Sequence, residues 1–421
     1  VIGTGIAGNV AAWHLCREHE ITVFEAGDHI GGHTHTHDII HGGERFAIDT
    51  GFIVYNDWTY PNFIDLLNEL GVKSQPTAMS FSSRCEESGI EYNGSSLDRL
   101  FAQRSNLFRP RFHAMIRDIL RFNRESRELL DDGNDTVPLG CYLDEKRYGR
   151  MFIDNYIIPM GAAIWSTDPQ QMLAFPARHF VQFFANHGLL NIRNRPQWRV
   201  VSGGSREYVR QLTAPYRDRI RLNEAVVEVR RPPGYVEVRT ANGNVERFDY
   251  LFIASHSDQA LAMLSDATQT EREILGAIPY QENDVVLHTD TALLPKRTRA
   301  WAAWNYLRRR GDSGRVSVTY NMNILQGLQS PSTFCVTLND SRHIDPDRII
   351  CRMQYQHPVY NADGVAAQQR QQDINGKRRT WYCGAYWRYG FHEDGVISAL
   401  NALKDFRDHH DYAQPSLRRA G

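Results

Sequence analysis

The sequence predicts an α/β protein in which a parallel sheet, assembled from distant segments, is interwoven with an α+β domain. Three observations predict it. Gly3-Thr4-Gly5-Ile6-Ala7-Gly8 is a G-x-G-x-x-G turn at the start of the chain. A second glycine pair, Gly31-Gly32, follows a short apolar strand that ends in Glu25. Buried-strand patterns suited to the same sheet recur in the middle of the chain and near its end. At 421 residues the chain exceeds the roughly 250–300 at which single cores stop growing. A hydrophobic fraction of 42% excludes a chain disordered throughout.

Each element has its own reason. In the opening turn the first glycine permits a tight bend. The second lets backbone N–H groups approach a pyrophosphate, and the third lets the next helix pack on the strand. That helix, expected over Asn9–Glu18, aims its positive end at the phosphates. Gly3, Gly5, Ile6, Ala7 and Gly8 are thus read as a Rossmann-like nucleotide cradle. Val1-Ile2 reads as the stump of the first strand, with several apolar residues expected before it. Ile21–Phe24 is the second strand. Glu25, 17 positions after Gly8 and followed by Ala26, stands where a carboxylate accepts hydrogen bonds from ribose hydroxyls.

An NAD domain has no need of Gly31-Gly32. An FAD domain does, because the chain must pass the pyrophosphate and ribityl a second time. FAD is therefore the expected cofactor, with His33 and Thr34 beside it. Glu224–Val229 and Tyr235–Arg239 alternate like meander strands, and Asp249–Ser255 reads as a buried strand, which places Val227 and Ala254 near the adenosine. Trp381–Ala399 reads as a strand, a loop through Gly384 and then a helix starting at Gly395-Val396. The dipole of that helix would face the flavin, and Phe391, His392, Glu393 and Asp394 would contact it.

These pieces, in this order, resemble the flavin-containing amine oxidase and phytoene-desaturase superfamily. Further stretches are similar to a bacterial branch of FAD/NAD-binding oxidoreductases: Asp49-Thr50-Gly51-Phe52-Ile53-Val54-Tyr55-Asn56, Trp301–Tyr306, His357-Pro358-Val359-Tyr360 and the loop Gly390–Gly395. That branch resembles the methyl-branched fatty-acid desaturases of furan fatty acid synthesis and the flavin-binding part of plant cyclopropane fatty acid synthases. The resemblance implies a Rossmann-like FAD-binding domain of the amine-oxidase type and an acyl-lipid substrate, with Gly51 and Phe52 near the flavin. Two positions depart from the pattern. Asn9 replaces a usual Leu, and Gly384-Ala385 replaces a usual Gly-Asp, so backbone groups or Glu393 would have to supply that contact.

The expected FAD domain is discontinuous, 1–56, 196–265 and 350–421, and the substrate domain comprises 57–195 and 266–349. In the latter, 61–70 and 106–130 have helical periodicity, while 285–289, 316–320 and 333–338 read as strands. A formal net charge of −1 excludes a basic nucleic-acid binder. Six scattered cysteines without a C-x-x-C pair read as reduced cytosolic thiols. The Arg-rich stretch Asp98–Arg127 reads as a solvated helix face, with anionic phospholipid at the inner face of a membrane as its functional alternative. The alternating His33, His35 and His37 would share one strand face, where a metal is conceivable, but His33 directly follows the flavin glycine pair and reads as a cofactor neighbour, so no metal is expected.

The chemistry expected is hydride transfer from a substrate C–H to the flavin N5, with a desaturase or dehydrogenase outcome. Losing a second proton requires a base, for which His357, or Tyr360 relaying to it, is the candidate, with Tyr55 on the substrate side. Two other readings stand beside this one. An amine oxidase would use a Lys near the flavin, and Lys296 is the sole Lys of the central substrate region. A non-catalytic flavin-binding partner of a lipid-modifying enzyme would present a blocked flavin face. Oligomeric state is left open.

Overall fold

The computed structural model describes residues 1–131, 136–311 and 317–413. Val316, expected to open a strand, lies outside them, as do 414–421 of the expected FAD domain.

The short apolar segments of the nucleotide domain join in a parallel sheet. Ile2 bridges Phe24 on one side and Ile253 on the other. Val23–Phe24 pairs with Ile220–Arg221, and Leu251–Ile253 with Thr380–Tyr382. The order is therefore 220–221, 23–24, 2, 251–253 and 380–382. Parallel strands need cover on both faces, and both are covered. Helices Ile6–Leu15 and His392–Ala413 pack on one side, where Val10, Ala11, Ala399 and Leu403 are buried together. The other side meets the antiparallel meander Val226–Arg230, Val236–Thr240 and Val245–Phe248, whose Val229, Val236 and Val238 pack against Phe24, Ile253 and Tyr382. The first helix begins at Ile6 rather than Asn9, because Gly5 already serves as its N-cap residue.

The second domain is built on a seven-stranded sheet in the order 349–358, 280–288, 335–338, 317–321, 304–308, 81–85 and 90–93. Beside it stands a helical lobe that includes Pro110–Glu125, Leu139–Glu145, Ile158–Trp165 and Ala177–Asn186. An aromatic cluster through Phe112, Phe122, Phe152, Phe180 and Phe184 holds the lobe together. The expected boundary at 350 falls inside a strand: Ile349–Pro358 pairs along Tyr280–His288, and the chain re-enters the parallel sheet only at Thr380. This strand carries His357 on the substrate sheet, opposite Gln281.

Helix Pro110–Glu125 buries Phe112, Met115, Asp118 and Phe122, which leaves Arg111, Arg117 and Arg124 exposed. Its approach carries two bare apolar tips, Leu97 at 77% exposure and Phe108 at 86%. Among the described residues no helix is long and apolar enough to cross a membrane.

Candidate functional site

A cavity of about 1030 Å³ lies between the parallel sheet and the seven-stranded sheet. It lies at the upper end of the roughly 300–1,000 Å³ typical of small-molecule sites. The nucleotide side is lined by Gly3, Gly5, Ile6, Ala7, Glu25, Ala26, Gly31 and Gly32, with Val227 of the meander and Ala254 after the fourth sheet strand. Farther along its wall come His33, Gly51, Phe52, Gly384, Phe391 and His392.

Local geometry explains the glycines. Gly31 and Gly32 have φ of +132° and +58°, and a Cβ on Gly32 would lie 3.0 Å from Gly5 Cα. The two glycine turns are therefore stacked with room for bare backbone only. Gly5 is different: no protein atom lies within 4 Å of a Cβ built there, because it faces the cavity. The first helix starts at this point with no side-chain cap, leaving its N-terminal N–H groups for an anion. Thr4 ties the parts together. Its N–H donates to Glu25 Oε2 at 2.9 Å, its hydroxyl donates to the same oxygen, and Gly31 N–H donates to that hydroxyl at 3.2 Å. Bare glycine turns, a free helix N-terminus and a positioned carboxylate suit the pyrophosphate and ribose of FAD.

Several expected contacts lie behind the wall instead. Gly8 supports the turn: a Cβ there would sit 2.0 Å from the Gly3 carbonyl oxygen. Thr34 Oγ1 is 2.9 Å from His392 Nε2 and 2.5 Å from Tyr208 Oη, so it orients His392, whose ring stacks on Phe52 at 3.4 Å. Glu393 caps a different helix. Its carboxylate accepts from Asn62 Nδ2 at 2.6 Å and Phe63 N–H at 2.9 Å, at the start of Pro61–Glu69. It is therefore not available to replace the Asp that Ala385 lacks. The terminal helix starts at His392, one turn earlier than expected, so Gly395 and Val396 lie inside it. A Cβ on Gly395 would be 2.6 Å from Ile6 Cγ2, and Val396 is buried in the helix-side core. Tyr55 is sequestered too, buried against Tyr60 and Phe63.

Asp394 is also buried, and its Oδ2 accepts from Phe391 N–H at 2.9 Å. Burial pushes its carboxyl up to about 7, against the opposing pull of that N–H and of Arg388. A carboxyl raised in the folded state binds its proton more tightly there than in the unfolded chain. Its contribution to stability is present below about pH 4 and is lost as pH rises towards 7. Asp394→Asn keeps an acceptor for Phe391 and should flatten that slope. Thermal unfolding across this pH range checks it, and an unchanged slope would acquit Asp394.

At the end lined by the substrate sheet and helical lobe, the wall contains His33, His256, His357 and Tyr360 with Trp165, Trp304 and Tyr389. The ring of His33 lies 5.5 Å from that of His357 and 5.8 Å from that of His256. Burial pushes His33 and His256 down to about 4 and His357 to about 3, so all three are neutral at pH 7. Burial also raises the Tyr360 phenol well above its ordinary range. No Lys or Arg is among the lining residues. Lys296 is elsewhere, its N–H donating to Glu91 Oε2 at 3.0 Å. His29, His35 and His37 stand in a row, with ring centroids 4.0 Å apart at each step, the first pair stacked and the second tilted by 39°. Among the described residues no group of His, Cys, Asp or Glu could hold a metal ion. Thr4, Ser166, His256 and Asn283 are the residues that sequence reasoning missed. Thr4 stood in plain view as the first variable position of the motif; the others have no local signal.

The family model for flavin containing amine oxidoreductases matches residues 6–321. AofH of Mycobacterium tuberculosis, catalogued among flavin-containing monoamine oxidases, is 27% identical over 372 residues, covering 83% of this chain and 72% of its own. A fatty acid isomerase from P. acnes that produces CLA superposes with a TM-score of 0.69 at 17% identity, covering 96% of this chain and 97% of its own. Cyclohexylamine oxidase from Brevibacterium oxydans superposes with a TM-score of 0.70 at 15% identity, covering 97% and 98%.

Proposed function

The chain belongs to the flavin containing amine oxidoreductase family and is an FAD-dependent oxidoreductase, and from that premise we propose that it dehydrogenates a hydrophobic substrate, a fatty-acyl lipid. One observation carries this reading: aromatic rings and neutral imidazoles wall the substrate end of the cavity, and Glu282, the one charged residue that the substrate sheet adds to the lining, is solvent-exposed rather than buried in that wall. Such a wall favours an uncharged chain over a charged one, because an unpaired charge there would lose its hydration.

In this reading Gly5, Ile6 and Ala7 hold the pyrophosphate, Glu25 the ribose, and Gly31-Gly32 the passage beside it. Val227 and Ala254 flank the adenosine. His33, Gly51, Phe52, Gly384, Phe391 and His392 surround the ring. When bound, FAD supplies a two-electron acceptor for the substrate hydride, and the proton lost from the neighbouring carbon passes to His33, a neutral imidazole of the wall whose buried Nε2 has no hydrogen-bond partner among the described residues. The chain orients the substrate against the ring, with His357 and Tyr360 as the polar groups of the wall, and excludes water through Trp165 and Tyr389. The exposed Leu97 and Phe108, with exposed Arg111 and Arg117 on the helix that follows, fit the headgroup boundary of an anionic membrane from which such a lipid would come.

The test is anaerobic mixing of the yellow holoenzyme with vesicles of methyl-branched phospholipid. Flavin absorbance should bleach, and faster with anionic than with zwitterionic vesicles. Bleaching by amines alone would assign amine oxidation instead, the activity for which AofH is named. Glu25→Ala should weaken FAD retention at least about tenfold, because it removes a charged hydrogen-bond acceptor for the ribose and with it the carboxylate that holds the Thr4 and Gly27 N–H groups in place. Unchanged retention on gel filtration would remove Glu25 from the ribose role.

A further inference from the structure

A relay of side-chain amides converges on His357, and nothing in the cofactor cradle requires it. The relay begins at a fixed donor: Asp284 N–H donates to Asn339 Oδ1 at 3.1 Å. Asn339 Nδ2 is thereby turned towards Asn283 Oδ1, to which it donates at 2.8 Å. Asn283, fully buried, then points its own Nδ2 the other way, donating to the Gln281 carbonyl at 3.1 Å and meeting His357 Nδ1 at 3.3 Å. An amide nitrogen only donates, so Nδ1 must be the unprotonated ring nitrogen. Ser166 Oγ, 3.2 Å from the same Nδ1, can donate to it as well. Ser166 is itself fixed, since its carbonyl accepts from Gln281 Nε2 at 3.0 Å. The other nitrogen, Nε2, has no hydrogen-bond partner among the described residues, and the ring lines the cavity.

We propose that this relay locks neutral His357 in its Nε2–H tautomer, with Asn283 as the positioning residue, so that His357 offers the cavity a donor for a carbonyl oxygen rather than a base for a carbon-bound proton. Burial, followed by the proximity of His33, keeps the imidazole from charging. His33 and His256, the imidazoles facing this wall, are held neutral by burial as well. The carbonyl belongs either to the flavin ring or to an acyl group, and only the second identity rests on the lipid reading above.

The experiment is nitrogen-15 NMR of the full chain labelled at histidine, with the His357 signals identified by their loss in His357→Gln. The wild type should show the Nε2–H tautomer and no titration between about pH 5 and pH 9, the range in which an ordinary imidazole changes charge. Asn283→Asp should move the proton to Nδ1 and raise the ring's proton affinity at least about tenfold, one pKa unit. A purely structural Asn283 would leave the tautomer unchanged in that variant and would overturn the assignment. Should Asn283→Asp not fold, the wild-type spectrum still decides, because an Nδ1–H tautomer there overturns the proposal. A shift of the Nε2 proton on restoring FAD to stripped protein assigns the acceptor to the flavin. A shift only on adding methyl-branched phospholipid micelles assigns it to the acyl carbonyl. No shift in either case refutes the donor role. Failure of lipid to bleach the flavin leaves the tautomer result standing, so the two readings fail separately.

Discussion

Arg231→Met should destabilise the protein by about 3–5 kcal/mol, the cost of removing one partner from a buried ion pair. The Arg231 and Glu271 side chains are 0% and 1% exposed. Arg231 Nη2 donates to Glu271 Oε2 at 2.8 Å and Nε to Asp266 Oδ1 at 2.9 Å. Tyr382 Oη donates to Glu271 Oε1 at 2.6 Å. The cluster thus joins the meander, the helix Gln269–Leu275 and the last strand of the parallel sheet. Met fills similar space but leaves the Glu271 carboxylate buried without its cation. Burial alone would raise that carboxyl, yet the hydrogen bonds from Arg231 and Tyr382 hold it down at about 2. A lowered carboxyl contributes stability above its unfolded value, near 4.5, and that contribution disappears as pH falls towards 2. The wild type should therefore lose stability across this window, and Arg231→Met should lose less there because the pair is already broken. Chemical denaturation at pH 7 and pH 3 measures both effects. A variant within about 1 kcal/mol of wild type at pH 7 would show the cluster to be an ordinary surface-like pair.

The nucleotide side was legible because backbone geometry dictates residue type there. Gly5 stands where a Cβ would enter the cavity, and Gly8, Gly31 and Gly32 where a Cβ would collide with backbone, so local spacing reports the three-dimensional requirement. Glu25 follows from strand length alone. The substrate side was less legible because its partners are far apart in sequence. Phe81–Cys85 runs parallel to Trp304–Arg308, a pairing that no local period encodes. Ile349–Pro358 alternates in character, but its pairing with Tyr280–His288 could not be told from a return to the parallel sheet. Glu393 misled for a related reason. Its polarity within an apolar loop suggested a ligand contact, whereas its hydrogen bonds cap a helix more than 300 positions away in sequence. Asn283 and Asn339 carry no signal at all, since their meaning lies in which way each amide is turned.

Gly8→Ala and Gly5→Ala should fail in different ways, although both glycines belong to one motif. A Cβ on Gly8 would stand 2.0 Å from the Gly3 carbonyl oxygen and 3.1 Å from the Ala254 Cβ. Neither backbone nor a methyl group can swing aside, so the first helix must lift from the sheet. That overpacking should cost about 1–3 kcal/mol and carry the helix N-terminus away from the phosphates. Stability and FAD retention should fall together. A Cβ on Gly5 meets no protein atom within 4 Å, and its φ of −63° suits alanine. Gly5→Ala should therefore melt within about 0.5 kcal/mol of wild type without ligand, the range of substitutions that disturb no packing. It should nonetheless retain FAD at least about tenfold more weakly, because its methyl group enters the space that the pyrophosphate needs. Unfolding of the flavin-free proteins and fluorescence titration with FAD separate the two outcomes. Undiminished FAD affinity in Gly5→Ala would mean that the pyrophosphate does not lie over this turn.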